Sequence, residues 1–406
     1  MKPPTALKGV KILEYCTTVS GAYCTKLMAD LGAEVIKIEP PGTGDGARRK
    51  PPFQNDQPDP EKSGLFIYIN TNKLGITLDP EKKQGAEIFR KLVQRADILI
   101  EDHQPGEMEK MGLGYDELKK IHPGLIMAAI TPFGQTGPYR NHKAYQLNIS
   151  QMSGQGYMLP LVSLDDTRPP VKVGGNNGNF DPGLVASIAV MAALFWRTLS
   201  GKGQYIGMSK LEALMSMQRV ESVCFPNSGV NMTRLGSVQN KNPGGVIPCK
   251  DGYVVLITPE EHQWKNFLKL MGDPAWSRED WCLDKIERME NVERIQTEIL
   301  KWAKDKTKEE IFRKGQALSV PIAPTNTAED IVNSPQFNAR EFFIPMDHPA
   351  LGHISKFPSS PYRFSKTPWQ IHRPAPALGE HNEQIYLEEL KISRDDIKRL
   401  KESAVI

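Results

Sequence analysis

Apolar and polar positions alternate with two periods along the first 130 residues. Residues 10–15, Val-Lys-Ile-Leu-Glu-Tyr, alternate and favour β-structure, which predicts a strand. A short loop, 16–21, leads to an apolar-faced run over 22–31 that reads as a helix stopped by Gly32. Residues 33–39, Ala-Glu-Val-Ile-Lys-Ile-Glu, predict the next strand. Strand, helix, glycine and strand make a βαβ unit, hence a parallel sheet with a right-handed crossover. The alternation continues with a strand over 76–79, an amphipathic helix over 81–95, and strands over 96–101 and 126–131. A doubly wound α/β domain is the expectation. Its ligand loops should lie at the carboxyl ends of the strands, beginning after Tyr15 and Glu39.

Further on, Asp181-Pro182-Gly183 reads as the start of a long helix running to about Leu199. Asp is a favoured N-cap, and Pro is tolerated at the first helical position. A second helix is expected over 209–223. The stretch from Asn227 to Gly245 is rich in Asn, Gly and Ser and reads as a linker. A strand over 252–258 and helices carrying Trp264 and Trp302 then predict a smaller α+β unit. Proline-rich pieces around 358–361 and 374–376 predict an extended C-terminal arm. The expected organisation is residues 1–226 in a large Rossmann-like domain, 227–325 as linker and small domain, and 326–406 as an arm returning to the large domain.

Composition narrows the function classes. The 406 residues carry 51 basic and 48 acidic side chains, a net charge of +3 that is too small and scattered for a nucleic-acid binder. The five cysteines form no CxxC pair and stand at no metal-ligand spacing with His, so no metal is expected, and the dispersed thiols predict a reduced, cytoplasmic protein. The longest apolar stretch, 184–196, is shorter than the ~20 residues that span a bilayer, so a buried helix and no membrane partner are expected.

Several phrases together resemble family III (CaiB/BaiF-type) coenzyme A transferases. They include 7–15, 32–39, Gly42-Thr-Gly-Asp45 with Arg48, and 97–102 ahead of Pro105-Gly106. Phe133-Gly-Gln-Thr-Gly-Pro-Tyr139, Gly201-Lys-Gly-Gln204, 320–326 and 374–381 follow in the family's order. The resemblance implies a dimer of interlocked rings, each subunit having a Rossmann-like large domain built from both chain ends and a small inserted domain. It also implies covalent catalysis by an aspartate. That carboxylate attacks a donor thioester, and the returning CoA thiolate gives an aspartyl-CoA thioester that loads the acceptor acid. Coenzyme A and its thioesters are substrates; no permanently bound cofactor is implied.

The family's aspartate falls here on Asn179. A carboxamide has no anionic oxygen and is a very poor nucleophile. Asp181, two residues on, reads as a helix cap, and its use as a substitute nucleophile is the alternative. The resemblance carries CoA contacts onto Thr18, Val19, Leu78, Asp102, Lys110 and Lys143; Asp102 stands where an Asn is usual, and Val19 where a glutamine is seen. Gly244-Gly245 matches a glycine loop or a plain linker turn. The related acyl-CoA racemases use a His and an Asp, which fall on Tyr145 and Asn179, so proton transfer of that kind is not expected.

A scaffold without its nucleophile resembles one subunit of the two-subunit, succinyl-CoA-dependent benzylsuccinate transferases of anaerobic toluene degradation. The implied partner is a homologous, aspartate-bearing sister subunit. A CoA-binding or regulatory homologue without turnover is the other reading.

Overall fold

A parallel sheet covered by helices buries its strands, and the first unit of the chain is built on six strands, of which only the edge strand 205–209 is exposed over much of its length. The computed structural model describes residues 4–159, 169–218, 221–232 and 243–406. Strands β1 (Lys11–Tyr15), β2 (Glu34–Glu39), β3 (Lys73–Thr77), β4 (Ile98–Glu101), β5 (Ile126–Thr131) and β6 (Tyr205–Ser209) form one sheet in the order β3-β2-β1-β4-β5-β6, with every pairing parallel. Successive side chains go to opposite faces. Ile12, Ile98, Ile100, Ile126, Ala128 and Ile130 enter the core under helices α1 (Val19–Ala29) and α6 (Asn177–Ser200). Leu13, Tyr15, Leu99 and Met127 enter the core under α3 (Lys83–Val93). The unit also carries helices α2 (Gly64–Ile69), α4 (Tyr115–Ile121), α5 (Gln146–Met152) and α7 (Lys210–Ser216).

The sheet ends at β3, and an open edge needs partners for its N–H groups. The C-terminal segment supplies them. The Gly75 N–H donates to His381 Nδ1 at 3.1 Å and the Thr77 N–H to Asn382 Oδ1 at 2.9 Å. A Cβ on Gly75 would lie 2.8 Å from the Pro376 ring, so only glycine fits that crossing. The proline-rich piece is therefore an edge cover for the first unit. It is preceded by the hairpin Phe343–His348/Gly352–Pro358 and followed by the helix Arg394–Glu402, whose Ile397 and Leu400 join the α3-side core.

This unit comprises Met1–Gly156, Lys172–Arg219 and Phe342–Ile406. The second comprises Tyr157–Val171 and Val220–Glu341. Its three-stranded antiparallel sheet, Gly245–Cys249, Gly252–Leu256 and Ile322–Pro324, packs Ile247, Val254, Leu256 and Ile322 with Trp264, Phe267, Ile295, Ile299 and Ile311 from its helices. Composition drew the small domain over 227–325; the contacts extend it back to 220 and forward to 341.

Four local expectations are corrected. The third strand lies at Lys73–Thr77, ahead of 76–79, because the Lys73 side chain is buried and fully bonded: its Nζ meets Glu14 Oε2 at 2.8 Å, the Ala22 carbonyl at 2.8 Å and Asn70 Oδ1 at 2.8 Å. Residues 205–209 form β6, and the expected helix over 209–223 divides into α7 and Glu221–Ser228. Gly245, the last residue of the expected linker, opens the strand Gly245–Cys249; residues 233–242 of that linker lie outside the described residues. The long helix runs 24 residues, long and apolar enough by length and composition to span a bilayer. It nevertheless packs Ala186, Val190 and Ala193 into the core beside α1.

Candidate functional site

The strand order reverses between β1 and β4, the place where parallel sheets of this kind bind ligands outside their carboxyl ends. Two loops meet there. Asp102 follows β4 directly, and its Oδ1 accepts the Thr17 N–H and its Oδ2 the Thr18 N–H, both at 2.8 Å. The Thr18 hydroxyl donates to Oδ2 as well. Thr18 is the N-cap residue of α1, yet its own side chain does not cap the helix. The negative group at that positive helix end is Asp102, delivered from a neighbouring strand.

Lys210, the first residue after β6, reaches the same point. Its Nζ donates to Thr18 Oγ1 at 3.2 Å, and the residue is only 7% exposed. Burial pushes its pKa down, with the Asp102 charge working against that shift. Sequence reasoning did not single out Lys210. The available signal was a lysine at the carboxyl end of a parallel strand, hidden because residues 205–208 were assigned to no element and Lys210 fell in the helix expected over 209–223.

Asn179 lies in the first turn of α6, half-buried, with its N–H on the Asn176 carbonyl at 2.8 Å. The buried Ser20 hydroxyl donates to Asn179 Oδ1 at 3.5 Å. Gly183 makes this approach possible: a Cβ there would lie 2.6 Å from the Ser20 carbonyl oxygen and 3.2 Å from the Tyr23 ring. Gln146 at the start of α5 donates to Asn176 Oδ1 at 3.0 Å. The turn carrying Asn179 is thereby fixed against α1 and α5.

Asp181 is not the helix cap. The helix begins at Asn177, four residues earlier than expected, and Pro182 lies inside it. Tertiary contacts extend the helix past the proline: the Phe180 ring meets Tyr23 edge-on at 4.9 Å and Tyr68 at 6.2 Å. Asp181 makes no hydrogen bond or ion pair among the described residues, and partial burial raises its pKa. At 3.6 residues per turn it points about 200° away from Asn179.

The other expected contacts scatter. Val19 is buried with Ala22, Ala47, Leu65 and Phe66, and Leu78 in the α3-side core. Lys110 ends a single helical turn, and Lys143 precedes α5; both are exposed and without an ion pair among the described residues. Gly245 opens the first strand of the second unit and Gly244 directly precedes it. A hollow of about 490 Å³ lies between the loop after β5 and the edge strand β6, lined by Phe133, Gln135, Tyr139, Tyr205, Ser209 and Leu211. Among the described residues no cluster of His, Cys, Asp and Glu has the makings of a metal site.

Behind the loops, a buried charge network fixes the β2 end. Lys37 Nζ lies 2.7 Å from Glu14 and 2.6 Å from Asp45, and Arg48 grips Glu39 with two bonds of 2.7 and 2.8 Å. Burial alone would raise the Glu14 carboxyl; Lys37 and Lys73 together hold it down at about 2.

The sequence profile of CoA-transferase family III matches residues 7–382. The chain is 30% identical over 407 residues to the succinyl-CoA–D-citramalate CoA-transferase of Chloroflexus aurantiacus, covering 100% of this chain and 99% of that one. It is 30% identical over 385 residues to the succinyl-CoA:(R)-benzylsuccinate CoA-transferase subunit BbsE of Thauera aromatica, covering 91% and 90%. A CAIB/BAIF family protein from Brucella suis superposes with a TM-score of 0.82 at 28% identity, over 95% of this chain and 99% of that one.

Proposed function

The chain belongs to CoA-transferase family III, and from that premise we propose that it is the subunit without a nucleophile in a two-subunit transferase. The complex would move CoA from succinyl-CoA to a benzylsuccinate-like carboxylic acid. Members of the family act on CoA thioesters as substrates. One observation carries the reading: the side chain held by Ser20 at the mouth of α1 is the carboxamide of Asn179.

In this reading the chain's own residues hold the β1–α1 loop and present a neutral group where acylation would occur. The sister subunit supplies the attacking carboxylate. Two relatives named as subunits, one for benzylsuccinate and one for L-malate, support a two-chain assembly, and the former supports the acceptor class. A surface for the partner is at hand. Leu184, Ile188, Met191, Phe195 and Leu199 recur at helical spacing on the outer side of α6, and all are exposed. An apolar stripe of that length on a soluble fold marks an interaction face. The interlocked dimer and the cytoplasmic setting belong to the same proposal.

The test is transfer from succinyl-CoA to benzylsuccinate, measured for this chain alone and after co-expression with an aspartate-bearing homologue. Activity in the co-purified pair only is the expected result. Activity of the chain alone, abolished by Asp181→Ala, would replace the proposal with a single-subunit enzyme using Asp181. Co-purification and CoA binding without turnover in either sample would mark a regulatory homologue.

A further inference from the structure

We propose that Lys210 is a positioning residue for the loop between β1 and α1, which the family resemblance, carried onto Thr18 and Val19, implies lies at the thiol end of CoA; the inference rests on the functional reading above. Three strands converge on this loop. β1 supplies Thr17 and Thr18, β4 supplies Asp102, and β6 supplies Lys210. The bonds have a fixed direction. The ammonium can only donate, so Thr18 Oγ1 accepts from Lys210 and turns its own hydrogen to Asp102 Oδ2. Asp102 then accepts four hydrogens, two from the backbone amides and two from the hydroxyls of Thr17 and Thr18, the Thr17 hydroxyl at 3.4 Å, and its oxygens serve both loop residues at once.

Burying an ammonium beside one neutral hydroxyl is unfavourable in itself. No carboxylate lies within 4.0 Å of Lys210 among the described residues, and the Thr18 hydroxyl is its hydrogen-bond partner there. A methionine would fill the same space without that cost. What the lysine adds is orientation: it fixes the Thr18 hydroxyl and supplies positive charge near Asp102 while that carboxylate holds the Thr17 and Thr18 N–H groups. The loop is then set before ligand arrives, which lowers the ordering cost of binding.

The experiment uses the full chain, with Lys210→Met, Lys210→Arg and Thr18→Val. Hydrogen exchange of the Thr17 and Thr18 amides reads the loop without ligand. Calorimetric titration with CoA and with adenosine 3′,5′-bisphosphate, which lacks the thiol arm, reads binding. Loss of one hydrogen bond to a charged group should speed exchange at both amides and weaken CoA binding by about tenfold or more. Binding of the bisphosphate should stay unchanged, and Lys210→Arg should recover most of the loss. Thr18→Val, which keeps the shape and removes the bridging hydroxyl, should behave as Lys210→Met and carries the test where that variant does not fold. Wild-type exchange in both Lys210→Met and Thr18→Val, or equal weakening of the two ligands, overturns the proposal. A wild-type chain that binds neither ligand defeats the functional reading instead, and amide exchange alone then decides the loop assignment.

Discussion

Asn179→Asp restores the missing carboxylate with almost no change in shape. The site is the third residue of α6, where a negative charge near the helix N-terminus gains about 0.3–1 kcal/mol. At 1.36 kcal/mol per unit, that lowers the new carboxyl's pKa by roughly 0.2–0.7 from an ordinary value near 3.9. Partial burial acts in the other direction. The Ser20 hydroxyl, 3.5 Å from Asn179 Oδ1, finds an acceptor in either residue. The variant should therefore fold with a melting temperature close to wild type and be fully ionised at pH 7. Its chemistry should differ sharply. Incubated with succinyl-CoA, it should form a thioester or anhydride trapped by hydroxylamine and located by peptide mass spectrometry at position 179. Wild type should give no adduct. Labelling should be flat from pH 6 to 8 and fall in the acid range as the carboxyl protonates. A folded variant that binds CoA yet never labels would refute the assignment of Asn179 to the nucleophile position.

Two further substitutions test the frame behind the site. Glu14→Gln leaves Lys37 and Lys73 short of a buried countercharge, and breaking such a pair costs about 3–5 kcal/mol. For a unit of this size the melting temperature should fall by roughly 10 °C, read by calorimetry. Because Glu14 is held at about 2 when folded, its contribution is present above its unfolded value near 4.3 and is lost as the pH drops from about 4 toward 2. Acid denaturation of Glu14→Gln should be correspondingly shallower in that window. Gly183→Ala places a Cβ 2.6 Å from the Ser20 carbonyl oxygen. Overpacking of about 1–3 kcal/mol should outweigh the roughly 1 kcal/mol gain in helix propensity. Denaturant titration should show lower stability, and Asn179→Asp combined with Gly183→Ala should label poorly because α1 and α6 are forced apart.

The chain's own pattern determined the parallel sheet, since apolar runs at strand length alternate with amphipathic helices, whereas the proposed nucleophile position at Asn179 comes from the family resemblance of an ordered set of phrases. The pattern also marked the loops after β1 and β2 as ligand loops, because carboxyl ends of parallel strands follow from strand direction alone; that the loop after β4 joins the one after β1 was decided by the strand order of the finished sheet. What depends on contacts far apart in the chain was not legible. Phe180, seated between Tyr23 and Tyr68, carries α6 back past Pro182 and takes Asp181 out of the cap, against the local preference of an Asp-Pro pair. Val19 and Leu78 proved to be core because the packing of whole helices on the sheet decides which side of a loop residue faces inward. β6, short and followed directly by a lysine, carries too little periodicity to announce itself. Only its pairing with β5 brings Lys210 beside Thr18, 192 residues earlier in the chain. Local propensity acts over a turn or a strand, whereas a buried charge is placed by the partners that the finished sheet brings to it.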